Sequence, residues 1–127
     1  MHMYSQSDTT SYASTNGYIS IGYGSSQYQT AALPDTHIPN STVAPFFDDL
    51  YLYGTSSPQQ GIFYQFNVAQ TNVTYEYYLG RSGNSEIFHF TVGYSSLTPG
   101  VFVYTYYLGG NTTDDGIYAS VGTQGSE

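Results

Sequence analysis

In the stretch "VAPFFDDLYLYG" (Val43 to Gly54) Asp48 and Asp49 stand side by side, and a second adjacent pair, Asp114 and Asp115, lies near the other end of the chain. Clustered carboxylates supply the several oxygens that a hard cation such as calcium requires, so these four residues are the candidate metal ligands. The spacing of a known calcium loop is absent, and a second chemistry fits the same residues. An aspartate placed after Pro45 can accept backbone N–H groups of the following loop, and Asp115-Gly116 is a tight-turn dipeptide. If Phe46 to Tyr53 is extended, its side chains alternate faces. Asp48 and Asp49 then cannot both reach water from a half-buried strand, and one of them needs a partner.

Catalytic constellations are few. Glu76 and Glu86 are conceivable as the paired acids of a glycosidase, and Ser82 with His89 as part of a hydrolase dyad. However, "GRSG" around Ser82 lacks the nucleophile-elbow pattern, and neither His37 nor His89 has an acidic residue spaced as an obvious orienter. These residues read as solvated strand and turn positions, with His37 a loop residue between two prolines, and the expectation is a protein without catalytic activity. The chain has no lysine, which excludes Schiff-base chemistry, and no cysteine, which excludes thiolate and redox chemistry.

The charge balance narrows the partners. Arg81 is the only lysine or arginine, and the formal net charge is −8. Nothing is available to neutralise phosphates or to build a basic membrane-surface patch, so neither nucleic acid nor direct membrane insertion is expected. No apolar run approaches the ~20 residues of a membrane helix. The opening Met1-His2-Met3 lacks the basic and apolar regions of a signal peptide; it reads as a tag scar on a mature domain cut from a longer chain.

Tyrosine is the most informative residue type. The chain has 16 tyrosines and seven phenylalanines but no tryptophan. Tyr51, Tyr53, Tyr75, Tyr77, Tyr78, Tyr104, Tyr106 and Tyr107 crowd three expected strands, more than a core of this size can hold. A tyrosine joins an apolar ring to a hydroxyl, which suits stacking on the C–H face of a sugar or an adaptable interface contact; it also serves as a cross-strand aromatic pair. Tyr75, Tyr77, Tyr104 and Tyr106 are the candidate ligand-binding residues. On Val101 to Leu108, Tyr104 and Tyr106 share a face opposite Tyr107, and theirs is taken as the binding face, although Phe102 and Leu108 share it and suit a core equally.

The elements that must carry these residues are strands. Aromatic and β-branched residues in a Gly, Ser and Thr background nearly exclude helix. Runs of period two cover Tyr18 to Tyr23, Thr42 to Phe47, Leu50 to Tyr53, Gly61 to Asn67, Val73 to Leu79, Glu86 to Tyr94, Val101 to Leu108 and Ile117 to Gln124, separated by turn signals. The fold class is all-β, an antiparallel, jelly-roll-like sandwich of about eight strands. Residues 16–127 form one domain, preceded by a flexible arm or edge strand over residues 1–15. Val73, Tyr75, Tyr77 and Leu79, with Phe88, Phe90 and Val92, form the core-facing set, and His89 faces water or a polar groove. Asn16-Gly17 reads as a turn before a strand. Asn40, Asn72 and Asn111 each open an N-glycosylation pattern.

The order of "STNGYISIG" (Ser14 to Gly22), "TVAPFFDDL" (Thr42 to Leu50), "GIFYQF" (Gly61 to Phe66), "VTYEYYL" (Val73 to Leu79) and "DDGIYASVGTQG" (Asp114 to Gly125) resembles the nidogen-like extracellular module and related surface-protein modules of bacteria and fungi. The likeness spans nearly everything after Thr15, with Phe47 where that family often has tryptophan. It implies a secreted or surface-displayed adhesion module and brings no catalytic residues with it. The resulting expectation is an extracellular, non-catalytic module that binds neutral cell-wall or host carbohydrate through tyrosine-rich surface. The alternative is an assembly module contacting another surface or matrix protein, with a glycan-active enzyme third. No cofactor is required by any of these, and calcium is the one the acids could take.

Overall fold

A computed structural model describes residues 1–110 and 118–125. Among these residues the chain is all-β, with ten strands and no helix. They are β1 (His2–Met3), β2 (Gln6–Ser7), β3 (Ser11–Ser14), β4 (Tyr18–Ile21), β5 (Thr42–Phe47), β6 (Gly61–Phe66), β7 (Asn72–Gly80), β8 (Ile87–Ser95), β9 (Phe102–Gly109) and β10 (Ser120–Gln124). Two antiparallel four-stranded sheets, ordered β10-β5-β4-β3 and β6-β7-β8-β9, pack face to face as an open sandwich, and β1 pairs with β2 in a small hairpin. The second sheet is an uninterrupted meander, because each of its strands reaches its neighbour through a short turn.

Alternation decides what lies between the sheets. Val73, Tyr75, Tyr77 and Leu79 on β7 and Phe88, Phe90, Val92 and Tyr94 on β8 are buried, as their spacing predicts, against Ile19, Ile21, Val43 and Phe46 of the first sheet. Aromatic stacking organises this core: Phe46 packs on Phe88 and Phe90 at 5.3 and 5.7 Å, and Tyr77 stacks on Phe90 at 4.7 Å. Both Val43 and Phe46 face inward although they stand three positions apart, an odd spacing that strict alternation would put on opposite faces. A bulge where β10 changes register against β5, between Ser120 and Gly122, accommodates the shift.

Asn16-Gly17 forms the β3–β4 turn, with Gly17 donating its N–H to Ser14 O at 3.1 Å. Gly17 has a φ of +76°, and a Cβ there would stand 1.8 Å from the Phe46 carbonyl oxygen, so only glycine fits.

The two sheets are covered differently. Residues 22–41 cross the outer side of the first sheet and bury a second, smaller cluster of Tyr18, Ile38, Ala44 and Phe47, with Leu33 against it. Gln124 of β10 clamps this crossing: its Oε1 accepts from the Asp35 N–H at 2.7 Å, and its Nε2 donates to the carbonyls of Asp35, Ile38 and Pro39. Among the described residues, the outer side of the second sheet has no such cover.

One expectation about elements changes. Leu50 to Tyr53 is not a strand; it makes one bridge, Tyr51 with Gly80, because Leu50 donates its N–H to Asp48 O two residues back and bends the chain. The first fifteen residues contribute three strands, with β3 at the sheet edge and Met3 buried in the main core.

Candidate functional site

Of the proposed ligand-binding tyrosines, Tyr75 and Tyr77 are buried in the core. Tyr77 is fully buried and donates its hydroxyl to Tyr18 O, and Tyr75 shares a hydrogen bond with Ser11. Tyr104 and Tyr106 also lie on the inner side of their sheet. Their hydroxyls donate across the sandwich to Gly122 O and Pro45 O, tying β9 to β10 and β5. Burial raises the Tyr77 phenol well above its ordinary value and also raises Tyr104 and Tyr106, so all three stay protonated donors. On β9, Tyr107 is thus on the open side of the sheet, while Tyr104 and Tyr106 face β10 and β5.

The open side is assembled by strand register. Tyr78 on β7 lies opposite His89 on β8, and His89 lies opposite Leu108 on β9. A register shift between His89 and Phe90 leaves Tyr107 as an extra residue on β9, and its ring falls on His89. Tyr78, His89 and Tyr107 thus form one aromatic row across three strands, with centroids at 5.3 Å for Tyr78–His89 and 4.6 Å for His89–Tyr107. Glu76, on the same face, holds His89 Nε2 at 2.8 Å and fixes the orientation of the central ring. Towards β6, a groove of about 260 Å³ runs beside the row, lined by Phe63, Tyr64, Gln65, Thr74, Glu76 and Thr91. Phe63 is 44% exposed at its end, and Tyr107, at the end of the aromatic row, is 57% exposed. The face offers apolar rings, hydroxyls, one amide and one His–Glu pair.

Of the candidate metal ligands, Asp48 has other partners. Asp48 is buried and accepts from Arg81 and Thr30 through its side chain and from the Asp49 N–H at 2.8 Å, which answers the demand for a partner in the "FFDD" stretch. Arg81 also pairs with buried Glu86 at 3.0 Å and sits over the Phe88 ring at 5.3 Å. Asp49 is exposed, and Asp114 and Asp115 lie outside the described residues, as does Asn111. No group of three or more metal-ligating side chains occurs among the described residues. Asn40 and Asn72 are exposed.

The acids imagined as a catalytic pair serve separate partners, Glu76 on His89 and Glu86 on Arg81. Ser82 lies exposed in the β7–β8 loop. His37 and His89 do have carboxylate partners. Asp35 holds His37 Nδ1 at 2.7 Å, and Glu76 holds His89. The first pair was readable from a spacing of two residues; the second needs the hairpin register that sets Glu76 diagonal to His89. Comparison with protein-family models, curated proteins and solved structures found no match.

Proposed function

We propose that this chain is a non-catalytic adhesion module, secreted or displayed at a cell surface, that binds neutral carbohydrate on the open face of the β6–β9 sheet. The observation that carries this reading is the Tyr78–His89–Tyr107 row beside a groove lined by Gln65, Thr74, Glu76 and Thr91. Flat rings present a surface for the C–H face of a sugar, and the amide, hydroxyl and carboxylate groups beside them can pair with ring hydroxyls. The opposite sheet could not serve in this way, since residues 22–41 cover it. The order of motifs that resembles nidogen-like modules supports the same class. Its expected partner is a cell-wall or host glycan, with no metal needed for the contact.

A glycan array on the purified chain identifies the ligand class. Tyr107→Ala should then lower affinity for the best neutral glycan at least tenfold while leaving the melting temperature near that of the parent, because Tyr107 is exposed. Tyr106→Ala should instead destabilise the fold, since it removes the bond to Pro45 O. Unchanged affinity in Tyr107→Ala, or no neutral glycan bound at all, refutes the reading.

A further inference from the structure

The four edges of the two sheets are not alike. β3 has only four residues, while β9 and β10 each sit beside a register shift. β6 is six residues long, pairs with β7 in unbroken register over its whole length, and among the described residues has no strand on its other side. Natural sheets blunt such an edge with lysine, proline, a bulge or an inward charge. β6, Gly61-Ile62-Phe63-Tyr64-Gln65-Phe66, has none of these. Its aromatic side chains are open on both sides of the strand: Phe63 is 44% exposed, Tyr64 70% and Phe66 54%, with the Tyr64 and Phe66 rings in contact at 5.9 Å.

We infer that β6 is a homophilic docking edge, on which β6 of a second copy of this chain pairs antiparallel to make one continuous eight-stranded sheet. Charge selects the occupant. The chain carries a net charge of −8, so copies repel through most of their surface, yet residues 50–75 contain no Asp, Glu, Lys or Arg. The docking strand is thus the centre of a neutral stretch, and a partner strand that is also neutral and aromatic meets no unpaired charge there. The nearest acid, Glu76, is already held by His89. Across two β6 strands the two Glu76 residues would be about 14 Å apart at ordinary strand spacing, beyond the Debye length of about 8 Å at physiological salt.

Area sets the strength. At roughly 200 Å² per aromatic side chain, the exposed fractions of Phe63, Tyr64 and Phe66 leave about 350 Å² to bury on each copy. The sum for two copies is below the ~1,200 Å² of a stable interface, which places the dimer in the weak, reversible class. Two-fold pairing of identical strands is a closed, isologous contact, so association stops at the dimer. It goes beyond the carbohydrate reading and does not depend on it. If both hold, two aromatic rows share one sheet, and weak sites act together.

The test is sedimentation of the full chain over the micromolar to millimolar range. The parent should show a reversible monomer–dimer equilibrium that strengthens as added salt screens the −8 charge. Tyr64→Lys and Phe66→Lys should each remain monomeric with an unchanged melting temperature, while Leu97→Lys, at an exposed position in the β8–β9 turn, should dimerise like the parent. Since the chain has no cysteine, a spin label on Gln65→Cys reports the pairing alone; the inter-copy distance should fall below roughly 20 Å, as strands about 4.8 Å apart require. A parent that is monomeric throughout, a dimer that persists in both lysine variants, or a longer label distance overturns the proposal.

Discussion

Arg81 is the single permanent cation of the chain, and its position explains the Asp48–Asp49 pair. Its guanidinium lies between two buried carboxylates, Asp48 and Glu86, and over the face of Phe88. Buried carboxylates without a partner are costly, so removing Arg81 should be far worse than removing a surface cation. Arg81→Ala should destabilise the fold by about 3–5 kcal/mol, a large share of the ~5–15 kcal/mol available to a small domain. Arg81→Lys should recover only part, because an ammonium cannot reproduce the planar fork that reaches both acids. Urea denaturation measures this, and a shift under about 1 kcal/mol for the alanine variant would mean that the cluster behaves as a surface pair.

Elements give Asp35 its importance. The crossing formed by residues 22–41 is held at Asp35 on both sides: its backbone pairs with the Gln124 amide, and its carboxylate accepts the His37 backbone N–H and the His37 imidazole. The backbone N–H of His37 is the main cause that lowers the Asp35 pKa below its ordinary 3.8, against the opposing effect of burial. A folded-state pKa below the unfolded one means that this stabilisation is complete above the unfolded value and is lost as pH falls through the folded one. The gap in melting temperature between parent and Asp35→Asn should therefore be constant at neutral pH and close below about pH 4. Thermal melts across that range check it, and a gap that persists in acid would show that the carboxylate charge does not hold the crossing.

The alternating apolar strands were legible from sequence because burial on one side imposes a period of two, and β7 and β8 obey it residue by residue. Leu50 to Tyr53 shows the same alternation but bends at Asp48, whose hydrogen bonds are not visible in hydropathy. The Ser/Thr-rich β3 has little pattern of its own and is a strand because β4 offers it a ladder. The aromatic row was hidden for a related reason. Strict alternation puts Tyr107 opposite Tyr106 without saying which side is covered, and the shift at His89 is a property of two strands together.

At the scale of the molecule, the decisive asymmetry is between a sheet whose outer side is buried by residues 22–41 and one whose outer side is open and nearly free of charge. Among the described residues, Glu76 and His89 are the acidic and basic side chains of the aromatic row and its groove, and they are paired to each other. The surrounding field is negative, because the net charge is −8. Such a field gives a neutral sugar no steering and repels an anionic one, whereas it would attract a basic protein. These alternatives separate on salt. Raising ionic strength from about 0.1 M to about 1 M shortens the Debye length from about 10 Å to about 3 Å and removes most long-range charge effects. Neutral-glycan affinity should stay within about twofold over that range, while an acidic glycan with the same core should bind better as salt rises. Titrations on Phe66→Lys, which does not line the groove, keep self-association out of the measurement. A loss of tenfold or more in affinity at high salt, about 1.4 kcal/mol, would identify a cationic partner and turn the open face from a sugar platform into a protein-docking surface.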